Sequence, residues 1–101
     1  MNKLITVAVI DSGIYPHIDF KNRIVAFKDF VNGRKNAYDD CGHGTHVSGI
    51  IAGSGYASHG RIRGICPSAC LAGIKVLDRL GNGRIENVLD AAGWIISHQK
   101  D

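Results

Sequence analysis

No run of eighteen apolar residues occurs in the 101 positions, so no segment has the length of a membrane-spanning helix. Blocks of five or more like charges are also missing. The net charge of +3 is spread along the chain, and neither a nucleic-acid nor a membrane partner is expected from it. Cysteine is scarce, at three residues (Cys41, Cys66 and Cys70), and an odd number cannot pair completely. That points to reduced thiols and a cytoplasmic setting. The opening "MNKLITVAVIDSG" places a lysine before an apolar run, but no small-residue cleavage pattern follows Asp11. A buried strand suits that run better than a secretory signal. There is no internal repeat and no low-complexity segment.

What is present is ordinary globular composition, 45% apolar and 21% charged, at the size of one domain with a small core. Residues 4–10 ("LITVAVI") are continuously apolar and β-branched, as in a strand covered on both faces. Residues 24–27 ("IVAF") and 70–77 ("CLAGIKVL") predict two more strands, the latter weakened by Gly73. Between them Val47, Ile50 and Ile51 share one helix face, and Gly53 and Gly55 supply a stop. The last segment is strongly periodic. Ile85, Val88, Leu89, Ala92, Ile95 and Ile96 form a helical stripe, with Asn82 or Gly83 at its start and Trp94 on the opposite side, packed on another neighbour. Residues 32–42 and 53–64 predict loops. Strands alternating with helices predict an α/β fold with a parallel sheet and flanking helices. The pattern stops after a helix, where such an alternation calls for another strand, and reads as a domain cut short.

Asp11 directly follows the first strand, where ligand and reaction sites gather in open α/β sheets. By itself it is equally a cap for the turn Asp11-Ser12-Gly13. His43 lies near a helix start and precedes a glycine, which allows a neighbouring chain to approach closely. An imidazole there serves as a general base if a carboxylate holds its other nitrogen; otherwise it is a surface histidine. His46 reads as a core histidine with one local hydrogen bond. Zinc on Cys41, His43 and His46 with Cys66 or Cys70 is disfavoured, because Cys-x-His-x-x-His matches no common zinc spacing and the glutamate of His-Glu-x-x-His is missing. The glycine pairs Gly53/Gly55 and Gly81/Gly83 lack the third glycine of a dinucleotide loop, positions 58 and 86 being Ser58 and Glu86.

Together, "VAVIDSGI", "DDCGHGTHVSGIIAG" and "GICPSACLAGIKVLDRLGNGRIENVLDAAGWI" resemble the subtilisin family of serine proteases, in that family's order and near its spacing, from Thr6 to Ser97. "GIYPHIDF" is most similar to its intracellular-type bacterial branch. The resemblance implies a serine endopeptidase acting on peptide or protein substrates. In it Asp11 matches the triad aspartate, His43 the base and His46 a structural histidine. The segment Gly81, Asn82 and Gly83 resembles the strip that pairs with an extended substrate backbone.

The sequence also departs from that family. Its nucleophile sits in Gly-Thr-Ser-Met-Ala, and none of Ser12, Ser48, Ser54, Ser58, Ser68 and Ser97 has that setting. Residues 1–101 therefore read as a partial catalytic domain, truncated before the serine and nearly inactive without a serine-bearing C-terminal segment. The alternative is a truncated non-catalytic remnant or binding module. An open sheet edge and an uncovered apolar face are expected, with poor solubility or oligomerisation. No cofactor is assigned: Asp19 resembles a family calcium ligand, but the loop of residues 53–64 lacks an asparagine ligand. Cys41, two positions before His43, is read either as a thiol near the base or as a packed neutral one.

Overall fold

The computed structural model describes residues 5–98. Three strands, β1 (Thr6–Asp11), β2 (Ile24–Asp29) and β3 (Cys70–Lys75), form one sheet in the order β1-β3-β2. Both pairings are parallel, as the sequence predicts. Helix α1 (His43–Ala52) connects β2 to β3, and α2 (Ile85–His98) follows β3. A short 3-10 turn covers Tyr56–Ser58. Leu4 and Gln99, which the sequence places in the first strand and the last helix, lie outside the described residues.

The middle position of β3 explains its composition. Leu71, Gly73, Ile74 and Lys75 are all buried, because the strand has a neighbour on each edge and a helix over each face. Gly73 is not a weakness here. A Cβ at that position would lie 2.9 Å from Phe27 and 3.0 Å from Ile14, so the missing side chain lets those two residues pack over the strand. One core cluster, Val9, Ile14, Phe20, Ala52, Ala69 and Leu71, lies under α1; the other, Ile74, Val76 and Ala91, lies under α2.

Each helix docks through only part of the face its apolar residues mark. Helix α1 meets the sheet through Gly44, Ser48 and Ala52, one residue per turn, with Val47 and Ile51 packed at the side. Ile50 points outward and is 53% exposed. Small residues let the helix backbone come close to the strands, and close approach prevails over side-chain hydrophobicity. Helix α2 corrects its expectation more sharply. Ala91 is buried, and Trp94 and Ile95 pack on Ile74 and Val76. Ile85, Leu89 and Ile96 are each about two-thirds exposed. Its first turn is closed by the Arg84 carbonyl, which accepts the N–H groups of Asn87 and Val88, so the helix opens after Asn82 and Gly83 rather than being capped by them. Among the described residues no strand pairs with the outer edge of β1.

Candidate functional site

The site is assembled where β1 ends. Asp11 is the last residue of β1 and is buried. Its carbonyl accepts the N–H of Val76 at 2.9 Å, continuing the ladder with β3, and its Oδ1 accepts the N–H of Ser12 at 2.7 Å. The chain then turns at Gly13, with φ +122°, and Ile14 N–H donates to the Tyr38 carbonyl. This turn therefore lies against residues 38–39, just ahead of α1.

Asp39 ties the turn to the helix. Its Oδ1 accepts from Ser12 Oγ at 2.8 Å, Gly42 N–H at 2.8 Å and Cys41 N–H at 3.1 Å. Its Oδ2 accepts from the N–H and hydroxyl of Thr45. Ser12 Oγ in turn accepts Gly44 N–H, and Thr45 Oγ1 accepts Tyr15 N–H. The first-turn N–H groups of a helix have no partner within the helix, and a carboxylate is well suited to take them. Burial pushes the Asp39 carboxyl up. The Thr45 hydroxyl, the N–H groups of Gly42 and Thr45 and the Ser12 hydroxyl outweigh that effect, and bring it from 3.8 down to about 2.

A carboxyl lowered on folding stabilises the fold above its unfolded value, and that contribution is lost as the pH falls through its folded value. For Asp39 the window runs from about pH 4 down to about 2. Asp29 acts in the same direction: burial raises it, but the Tyr38 hydroxyl and the N–H groups of Asn32, Val31 and Arg34 lower it further. Asp39→Asn is expected to cost about 1–2 kcal/mol at pH 7, as a lost helix cap does. It is also expected to narrow the gap between urea midpoints measured at pH 7 and pH 3; an unchanged gap refutes this account.

With both segments held, His43 opens α1 and its Nδ1 lies 2.8 Å from Asp11 Oδ2 and 2.9 Å from Oδ1. A carboxylate accepts only, so Nδ1 carries the proton, and the tautomer this bond selects in the neutral ring is the one with its lone pair on Nε2. The Asp11 side chain is 11% exposed and that of His43 63% exposed, so the held nitrogen is on the protein side and the ring faces outward. The structure thus brings together two residues 32 positions apart in the sequence.

Comparison with known proteins bears on this arrangement. The model of the Subtilase family matches residues 2–101. The chain belongs to the subtilase family. It is 46% identical over 99 residues to the serine protease AprX of Bacillus subtilis, covering 98% of this chain and 22% of AprX. To the major intracellular serine protease of the same organism it is 38% identical over 105 residues, covering 98% of this chain and 32% of that protein. The crystal structure of a cold-adapted subtilisin-like serine proteinase superposes with a TM-score of 0.81 at 34% identity, over 93% of this chain and 32% of the other. The chain thus spans between about a fifth and a third of the length of these subtilases.

The other residues singled out in this subtilase chain fall as follows. Gly81, Asn82 and Gly83 lie in an exposed turn next to the site. Asp78 Oδ1 accepts the N–H groups of Leu80 and Asn82, Asp78 N–H donates to the Asn82 carbonyl, and Gly83 bridges Leu77. A Cβ on Gly81 would sit 4.0 Å from Cys41 Sγ, so this turn adjoins the loop that leads into His43. His46 is exposed, not a core histidine, because it lies two residues from the buried Gly44 and so roughly 200° around the helix. Cys41 is exposed as well. Among the described residues no three of the His, Cys, Asp or Glu side chains gather as metal ligands would. Sequence reasoning missed Asp39, Ser12 and Thr45. The available signal was an aspartate just ahead of a helix start, passed over as loop.

Proposed function

We propose that this chain supplies the acid and the base of a subtilisin-type serine endopeptidase. The observation that supports this most directly is the Asp11 carboxylate on His43 Nδ1. In this reading His43 Nε2 takes the proton from a serine hydroxyl as that oxygen attacks the peptide carbonyl, and then delivers it to the leaving amine. Asp11 keeps the imidazole in the required tautomer and stabilises the cation formed in between. Gly81, Asn82 and Gly83 offer backbone groups to an extended peptide or protein substrate, a mode that reads main chain more than side chains. The nucleophile comes from a serine-bearing segment, and the 101 residues by themselves are nearly inactive. The odd cysteine count is what supports a cytoplasmic setting. Among the described residues no helix is long and apolar enough to cross a membrane.

No cofactor enters the reaction in this reading. No calcium site is assigned at Asp19: its Oδ1 accepts the N–H of Ala57 at 2.7 Å, and the facing loop, residues 53–64, holds two arginines and no carboxylate or carboxamide.

A fluorophosphonate probe, which reacts with an activated serine, tests the proposal. The 101-residue chain is expected to stay unlabelled. The serine-completed protein, this chain continued through its own serine-bearing segment or that of AprX, is expected to label, and to stop labelling with His43→Ala. A folded, unlabelled completed protein would instead favour a non-catalytic remnant or binding module, the reading suggested by the missing Gly-Thr-Ser-Met-Ala.

A further inference from the structure

Lys75 is a fully buried cation, 0% exposed at the last position of β3, opposite Asp11 in the parallel register. Burying an ammonium is costly unless all of its protons find acceptors. Here all three do: Nζ donates to the Ser12 carbonyl at 2.6 Å, to Asp40 Oδ1 at 2.7 Å and to the Leu77 carbonyl at 2.7 Å. It also lies 5.2 Å from the centre of the Tyr38 ring.

The three acceptors belong to three different segments. Ser12 follows Asp11. Asp40 lies in the loop that leads into His43. Leu77 begins the segment that folds back on itself through Gly81 and Gly83, pairing with Gly83. A buried ion pair adds little net stability over an apolar residue of the same volume, but its directed bonds fix one arrangement of the groups it joins. We infer that Lys75 is a positioning residue that locks the Asp11–His43 pair in register with the Gly81–Gly83 strip. The inference rests on the protease reading and deepens it. Lys75 does not touch the reacting atoms; it sets the distance between the place where a peptide is held and the place where it is cut.

That role has a readout that misfolding does not share. A substrate reaching only the His43 side does not sense the register, whereas a tetrapeptide lying along the strip does. In the serine-completed protein, kcat/KM is measured for an acyl-tetrapeptide anilide and for a single-residue ester, and their ratio is taken. A smaller folded fraction lowers both and leaves the ratio fixed. Lys75→Met and Asp40→Ala are each expected to lower the ratio on the order of 10-fold, the scale of one charge-assisted hydrogen bond. The Asp40 side chain is 35% exposed, so its variant keeps the question answerable if Lys75→Met does not fold. An unchanged ratio in Asp40→Ala, with the wild type active, overturns the inference and leaves the protease reading standing. A wild-type protein that hydrolyses neither substrate overturns both.

Discussion

In the serine-completed protein, His43→Ala is expected to lower kcat on the order of 10⁶-fold, the loss subtilisin shows without its base, and Asp11→Asn about 10⁴-fold, the loss an Asp→Asn exchange causes in a chymotrypsin-type triad. The difference follows from the geometry. Without His43 the imidazole placed to take the serine proton is gone. In the Asp11→Asn variant the imidazole remains, and the N–H of Ser12 still has an oxygen to donate to. An amide that presents its NH2 to Nδ1, however, leaves the proton on Nε2, which is the wrong tautomer. The His43 side chain is 63% exposed, so its truncation costs little stability and the loss can be assigned to chemistry. Because the two residues act as a unit, the double variant is expected to be no worse than His43→Ala alone. Steady-state hydrolysis of a tetrapeptide anilide measures all three, and a His43→Ala protein keeping a hundredth of wild-type kcat contradicts the proposed base.

The parts of this arrangement legible in the sequence are those carried by local rules. A β-branched run ending in a carboxylate gives a strand with an acid at its carboxyl end, and the glycine after His43 marks a close approach. The sheet's parallel order follows from the alternation of elements. What stayed hidden depends on contacts between distant segments. Asp39 reads as one more polar loop residue until Ser12, 27 positions away, is brought beside it. Nothing local marks Lys75, one charge within an apolar run, as the residue on which the acceptors of three segments converge. Helix α2 shows the limit of periodicity. Of its strongly apolar stripe, Ile85, Leu89 and Ile96 are exposed, whereas Ile95 packs on the core beside Ala91 and Trp94. Periodicity identifies faces to be covered, not what covers them; the exposed part of the stripe and the outer edge of β1 are unpartnered among the described residues.

Gly44→Ala sets the two requirements of α1 against each other. Alanine is the best helix former, and the exchange favours the helix by about 1 kcal/mol. But a Cβ on Gly44 would lie 2.1 Å from the Gly13 carbonyl oxygen and 3.2 Å from the Asp11 Cβ. Backbone cannot rotate away as a side-chain end does, so either α1 or the Ser12–Gly13 turn must move by roughly 1 Å, a displacement that costs about 100-fold in rate when it falls on reacting groups. Either movement draws His43 off Asp11 and stretches the Gly44 N–H bond to Ser12 Oγ. Overpacking of this kind costs about 1–3 kcal/mol, so the propensity gain is cancelled or exceeded. Gly49 on the same helix has nothing within 4 Å of its absent Cβ. Gly49→Ala should therefore keep full activity and raise Tm, whereas Gly44→Ala should lower kcat about 100-fold with an unchanged or lower Tm. Equal activity in the two variants would mean that the approach of α1 to the strand end does not hold the catalytic pair.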